Sequence, residues 1–265
     1  MLGNFSLLPH GDDAMVPLKR MLFLVLLTLS FATMTSVLST ASDLTEALKL
    51  RDIAKVRGLL AAGADPNEKV RRDYPLNIAA AHGPAEMVGV LLDAGAALEQ
   101  PGRDGLYPLH NAIMSGQKDI VTLLLQRGAV VDARDKLGRT PLVSFAAMAG
   151  SDIEIAKMLL AAGANPNIES AEADDSPSAL QYAAETGDIE LDKLLIAARA
   201  DVNHKNLYGW TPLHQAVQNV RPDIVRLLVA HGADVNLANK LGKTPLSLAS
   251  NDEAMKQLLV AAGAK

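Results

Sequence analysis

Between residues 42 and 265, the side chains best suited to chemistry are five histidines (His82, His110, His204, His214, His231) and an acidic run at Glu169, Glu172, Asp174 and Asp175. A histidine acts as a general base when a nucleophile and an orienting group stand at fixed places around it. No H-E-x-x-H, G-x-S-x-G or G-x-x-x-x-G-K-[ST] string accompanies these histidines, and the chain has no cysteine. The acidic run offers oxygens to a hard cation such as calcium, but it lacks the alternation and the bidentate ligand that a calcium loop needs. These residues therefore predict no enzyme, no metal and no cofactor. An enzymatic or calcium-binding use of the acidic run is the alternative.

The same side chains sit on a repeating frame. Thr211-Pro212-Leu213-His214 recurs as Thr244-Pro245-Leu246-Ser247 and Thr140-Pro141-Leu142-Val143, with weaker copies at Tyr107-Pro108-Leu109-His110 and Tyr74-Pro75-Leu76-Asn77. Prolines 75, 108 and 141, and again 212 and 245, lie 33 residues apart. Ser178-Ala179-Leu180-Gln181 fills the gap between Pro141 and Pro212. A second marker, two apolar residues and then Gly-Ala, ends at Gly95, Gly128, Gly163 and Gly232. Two markers in register at this period describe stacked units. They resemble the ankyrin repeat family over residues 43–265. The resemblance implies an all-α repeat solenoid of helix-turn-helix units with β-hairpin fingers. About seven units, including caps, would span 43–67, 68–98, 99–131, 132–168, 169–203, 204–236 and 237–265.

Each marker has a physical role. Thr211 is an N-cap acceptor, and Pro212 occupies the first helical position, where a missing N–H is harmless. Leu213, Ala216 and Val217 are expected to point into the stack. Ile224, Val225, Leu227 and Leu228 follow at helical spacing on a second helix, which Gly232 ends. Neither helix buries its apolar face alone, so each unit needs neighbours.

In the ankyrin family, histidine at the last position of the TPLH string bonds backbone between repeats, so His110 and His214 are expected to be structural. His231, beside Gly232, complements a helix C-terminus. The family holds partners by finger tips and by the concave face of the first helices. Carried over by position, this implies Leu207, Tyr208, Trp210, Gln218 and Asn219 in the sixth unit and Arg103, Leu106 and Met114 in the third. It implies Lys136 and Arg139 in the fourth, and Arg71 and His82 in the second. Trp210, the only tryptophan, is expected to point outward, where it meets the partner or packs against the adjacent finger.

Several departures from the repeat carry expectations of their own. Pro141 to Gly163 is two residues longer than Pro108 to Gly128, which places an insertion in the Met148–Ser151 turn. The fifth unit has a lengthened finger at 169–178. Arg199 replaces its helix-ending glycine, which is expected to remove the helix stop. The finger Val70-Arg71-Arg72-Asp73 lacks a turn glycine. The last unit is expected to present a polar cap through Ser247, Lys256 and Gln257.

The beginning of the chain reads differently. Lys19-Arg20 precede the apolar run at 21–32, and Ser39-Thr40-Ala41 follows it. This layout predicts a signal peptide over 15–41 cleaved after Ala41, with 1–14 a mis-assigned extension ahead of Met15. The alternative is an uncleaved inner-membrane anchor, although Thr28, Ser30 and Thr33 interrupt the run early for a span of ~20 residues. A net charge of −5 argues against nucleic acid. The expectation is a monomeric, non-enzymatic interaction module exported to the bacterial periplasm. It would bind a protein partner, with no stable membrane insertion once cleaved. Exported bacterial ankyrin proteins that this chain resembles include ones associated with envelope stress or toxin neutralisation.

Overall fold

A hydroxyl turns the chain into a helix at the start of most repeats. Thr140, Thr211, Thr244 and Ser178 each accept the backbone N–H three residues on, and proline occupies the first turn after each threonine. Tyr74 and Tyr107 hold the same place without a side-chain cap, leaving Pro75 and Pro108 to set the first turn. A computed structural model describes residues 43–69, 71–148, 150, 152–169, 177–249 and 251–265. The expected signal segment 15–41, the extension 1–14 and the acidic residues Glu172, Asp174 and Asp175 lie outside them.

Helices pair along the described chain. They are α1 (43–49) with α2 (Ile53–Ala61), α3 (Pro75–His82) with α4 (Ala85–Asp93), and α5 (Pro108–Met114) with α6 (Lys118–Gln126). Next come α7 (Pro141–Ala146) with α8 (Ile153–Ala161) and α9 (Ala179–Thr186) with α10 (Ile189–Ala197). The last are α11 (Pro212–Gln218) with α12 (Pro222–Ala230) and α13 (Pro245–Leu248) with α14 (Glu253–Ala261). From α3 to α13 each first helix packs on the next, and from α2 to α14 the second helices do likewise, giving two layers. Among the described residues there is no helix long and apolar enough to cross a membrane.

The expected β-hairpin fingers take a simpler form. No described residue lies in a strand. Each of four fingers is instead closed by one backbone bond between its arms, Gly102 N–H to Leu106 O, Asp135 to Arg139, Asn206 to Trp210 and Asn239 to Lys243, with a tighter turn bond inside it from Gly105, Gly138, Gly209 and Gly242 N–H. The arms are too short for a ladder. At the second finger Arg71 takes a left-handed φ of +60°, supplying the turn that glycine makes elsewhere.

A ladder of side chains joins the repeats at the other end of each unit. The Asn67 amide donates to Gly95 O and accepts from Ala97 N–H. Asn203 does the same with Gly232 and Asp234, and Asn236 with Gly263 and Lys265. Glu99 and Asp132 hold this place in two repeats and only accept, from Val130 and Asn165 N–H.

The fifth repeat corrects one expectation and adds a core fault. Arg199 does not remove the helix stop. Its φ is +67°, and Ala200 N–H still bonds Leu195 O as Ala233 bonds Leu228 in the next repeat. The left-handed well is strained for a residue with a Cβ, yet the surrounding bonds hold it there. Asp192 is fully buried where the sister repeats place Val88, Val121, Ala156 and Val225. Neither of its carboxyl oxygens has a hydrogen-bond partner. Burial, with a smaller push from Asp188, raises its pKa from 3.8 to about 8. The lengthened fourth repeat fits a longer link between α7 and α8, although Ala149 and Ser151 of that turn lie outside the described residues.

Two outcomes follow. Arg199→Gly should stabilise the chain by about 1 kcal/mol in urea denaturation, because glycine adopts the left-handed turn freely; a lower midpoint would contradict this. The folded chain holds the Asp192 proton above the unfolded value of 3.8, so the stability this adds is lost as pH rises from 3.8 through about 8. Asp192→Val should raise stability by about 1–3 kcal/mol at pH 7 and flatten that slope. Retention of the slope in the valine variant would show that another group carries it.

Candidate functional site

The fingers are braced from within. Asn206 is buried, and its side-chain oxygen accepts the N–H groups of Tyr208 and Trp210 at 3.0 and 2.9 Å. Asn239 does the same for Leu241 and Lys243, and Asp135 for Leu137 and Arg139. One inward acceptor thus satisfies two turn donors and leaves the tip side chains outside. Leu137, Leu207, Tyr208 and Leu241 are 48%, 49%, 52% and 81% exposed, far from the usual state of such residues. This device escaped the sequence reading, although its signal is visible: Asp or Asn three residues before Gly138, Gly209 and Gly242.

Adjacent fingers also touch. Lys136 N–H donates to Asp104 O at 3.2 Å, and Lys240 N–H to Tyr208 O at 2.9 Å. Gly105 and Gly209 permit this approach, since a Cβ on either would stand 2.7 and 3.0 Å from the next finger's backbone nitrogen. Fingers three and four therefore form one braced ridge, and fingers six and seven another.

The buried histidines are structural. His214 Nδ1 accepts Thr211 N–H, so its Nε2 carries the hydrogen that bonds Lys243 O at 3.1 Å. His110 Nε2 reaches Arg139 O in the same way. Burial lowers both pKa values, partly opposed by the bond to backbone. Asn77 and Gln181 replace histidine at this position and donate to Leu106 O and Trp210 O. His231 Nδ1 bonds Leu227 O at the end of α12. His204 lies 3.7 Å from Glu169. Among the described residues, no group of three or more metal-ligating side chains converges.

The predicted contact residues fall into two areas. Arg71, His82, Arg103, Leu106 and Met114 line one concave groove of about 770 Å³, walled by α1, α3 and α5. Lys136 lies beyond it with Arg72 and Arg134, in a cleft of about 590 Å³ between finger tips. Leu207 and Tyr208 stand on the tip of finger six, and Gln218 and Asn219 are exposed at the end of α11, apart from the groove. Two residues differ from expectation. Trp210 does not point freely outward; it is half-buried, its ring centre 5.7 Å from that of His214. Arg139 is already engaged, with Nε and Nη2 on Asp135 Oδ2 at 3.0 and 2.8 Å, so it braces its finger.

The family described as ankyrin repeats in three copies matches residues 44–135, 76–170, 143–239 and 180–265. Chicken inversin is 39% identical over 89 residues, which are 33% of this chain and 8% of inversin, so the chain spans a small part of that relative. Among solved structures, the human ASB11 ankyrin repeat domain superposes with a TM-score of 0.72 at 26% identity, covering 83% of this chain and 96% of that one. The ankyrin repeat domain of Bcl-3 does so with 0.73 at 26% identity, covering 82% and 97%. With both markers, both layers and the family match running from Leu44 to the last residue, the chain belongs to the ankyrin repeat family.

Proposed function

We propose that this chain is a non-enzymatic scaffold that grips a protein partner with its finger tips and the concave face of its first helices. Ankyrin repeats generally serve protein–protein interaction. The observation that carries the reading here is the combination of braced fingers with exposed Leu137, Leu207, Tyr208 and Leu241 at their tips. A tip held by backbone bonds on both sides loses little freedom on docking, so more of its contact energy becomes affinity. Tyrosine is among the side chains that most often carry such contacts, and the leucines around it add apolar surface that excludes water.

In the same reading the scaffold works after export to the bacterial periplasm. The basic-apolar-small pattern over 15–41 supports this. N-terminal sequencing of the mature protein and cell fractionation test it: a mature chain starting near Ser42 is expected, and one that keeps Leu22 to Leu27 in the membrane fraction overturns it.

The binding face is tested by affinity capture from cell-envelope extract. Wild type is compared with Leu207→Ala/Tyr208→Ala on finger six and with Lys157→Ala/Lys193→Ala on the outer helices. The finger variant should lose at least about 1–2 kcal/mol, a tenfold weakening of the captured partner, while the outer-helix variant keeps it. Equal capture by all three would place the binding face elsewhere.

A further inference from the structure

The chain treats its cations in two ways. On the outer layer several are paired: Arg57 with Glu86 at 3.0 Å, Lys118 with Asp152 at 2.8 Å and Arg127 with Asp93 at 3.1 Å tie successive repeats. Lys157 and Lys193 pair within their own helices. Along the groove and fingers of the first four repeats, Lys49, Arg71, Arg72 and Lys136 have no carboxylate within bridging distance among the described residues. Arg103 joins them only loosely paired, 3.9 Å from Asp73 and 62% exposed. In a chain of net charge −5, these cations line the groove and the finger cleft that adjoins it.

Arg71 stands at the mouth of the groove. It holds a left-handed backbone at φ +60° on an exposed tip. Glycine would make that turn without strain, yet a guanidinium stands there over the groove. Asp104 at the same place of the next finger holds the same well at φ +57°, so this turn accepts a side chain, and at the second finger it sets a guanidinium at the mouth of the groove.

We propose that this strip, from the groove at Lys49 and Arg71 across Arg103 to Lys136, seats an extended carboxylate-rich segment of the protein partner. The claim rests on the scaffold reading and specifies its chemistry. The strip crosses four repeats, and packed helices stand about 8–10 Å apart, so its length is roughly 30 Å. That exceeds a small molecule and matches about nine residues of extended chain. Glu46, Asp73 and Asp104 lie among the cations and break the uninterrupted positive track that a phosphate backbone needs, which favours spaced carboxylates over nucleic acid. Met114, 46% exposed on the groove wall, offers an adaptable apolar contact beside the charges.

The test uses fluorescence anisotropy with a labelled peptide of alternating Glu and Ser about 35 Å long when extended, the same peptide with Gln for Glu, and an oligo-dT of equal length. Binding is read at about 20 mM and about 300 mM NaCl, where the Debye length shortens severalfold. The Glu peptide should bind at least about tenfold tighter than the Gln peptide at low salt and weaken sharply at high salt. Arg71→Gly/Lys136→Gln should weaken it about tenfold with no loss of melting temperature, because glycine relaxes the turn at 71. Lys157→Gln/Lys193→Gln, equal in charge change, should leave binding intact. Equal binding of Glu and Gln peptides, tighter binding of oligo-dT, or equal weakening by the outer-helix variant would each overturn the proposal. If the Glu peptide fails while Leu207→Ala/Tyr208→Ala still loses the captured partner, the acidic-segment proposal falls and the scaffold reading stands. If that capture is also unchanged, both fall.

Discussion

Asn77, His110, Gln181 and His214 each bury a polar ring or amide whose partner is a carbonyl in the following repeat. A buried polar group left without that carbonyl costs about 1–3 kcal/mol, so each repeat is completed only when its neighbour is in register. The apolar surfaces impose the same condition. Leu213, Ala216 and Val217 on one helix and Ile224, Val225 and Leu228 on its mate are buried between layers that the adjoining repeats supply. Burial drives the stacking, and the polar rungs fix the spacing at which it occurs.

The rungs are not uniform. Val143 stands where α3, α5, α9 and α11 place an amide or imidazole, and it has nothing to donate across to the fifth repeat. There α7 and α9 pack against each other, with Leu142, Phe145, Leu180 and Ala183 buried. The fifth repeat also carries the buried carboxyl of Asp192 and the left-handed Arg199. The unpartnered carboxyl of Asp192 is a local cost set in the middle of the stack. A stack with nearest-neighbour coupling tolerates such a unit, since flanking interfaces hold it in place.

Rigidity at the fingers comes from the same economy of means. Asn206 and Asn239 satisfy two donors each, and the finger-to-finger bonds of Lys136 and Lys240 tie neighbouring tips. Asp135 does so with a carboxylate, which Arg139 then neutralises. Arg139, which the family resemblance implied as a contact residue, is thereby tied to its own finger. Trp210 is likewise drawn inward by His214, leaving Leu207 and Tyr208 as the outward face of that tip.

The period, the helix pairs, their caps and the glycine stops were legible because each marker acts on residues within a few positions of itself, Thr211 on His214 and Gly232 on the turn it ends, whereas the stop at Arg199 was not. The histidine rung was legible only through resemblance. The roles of Asn206 and of Asn67 were not read at all, since their partners lie in turns or in repeats about a period away. By itself, the sequence determined the architecture, because stacking is the only way these amphipathic helix pairs leave water. Tertiary structure alone decided which surface residues are free: that Arg139 is engaged, Trp210 half-covered, Asp192 buried and Arg71 exposed. Exposure and pairing depend on contacts between repeats, and those contacts exist only once the stack is built.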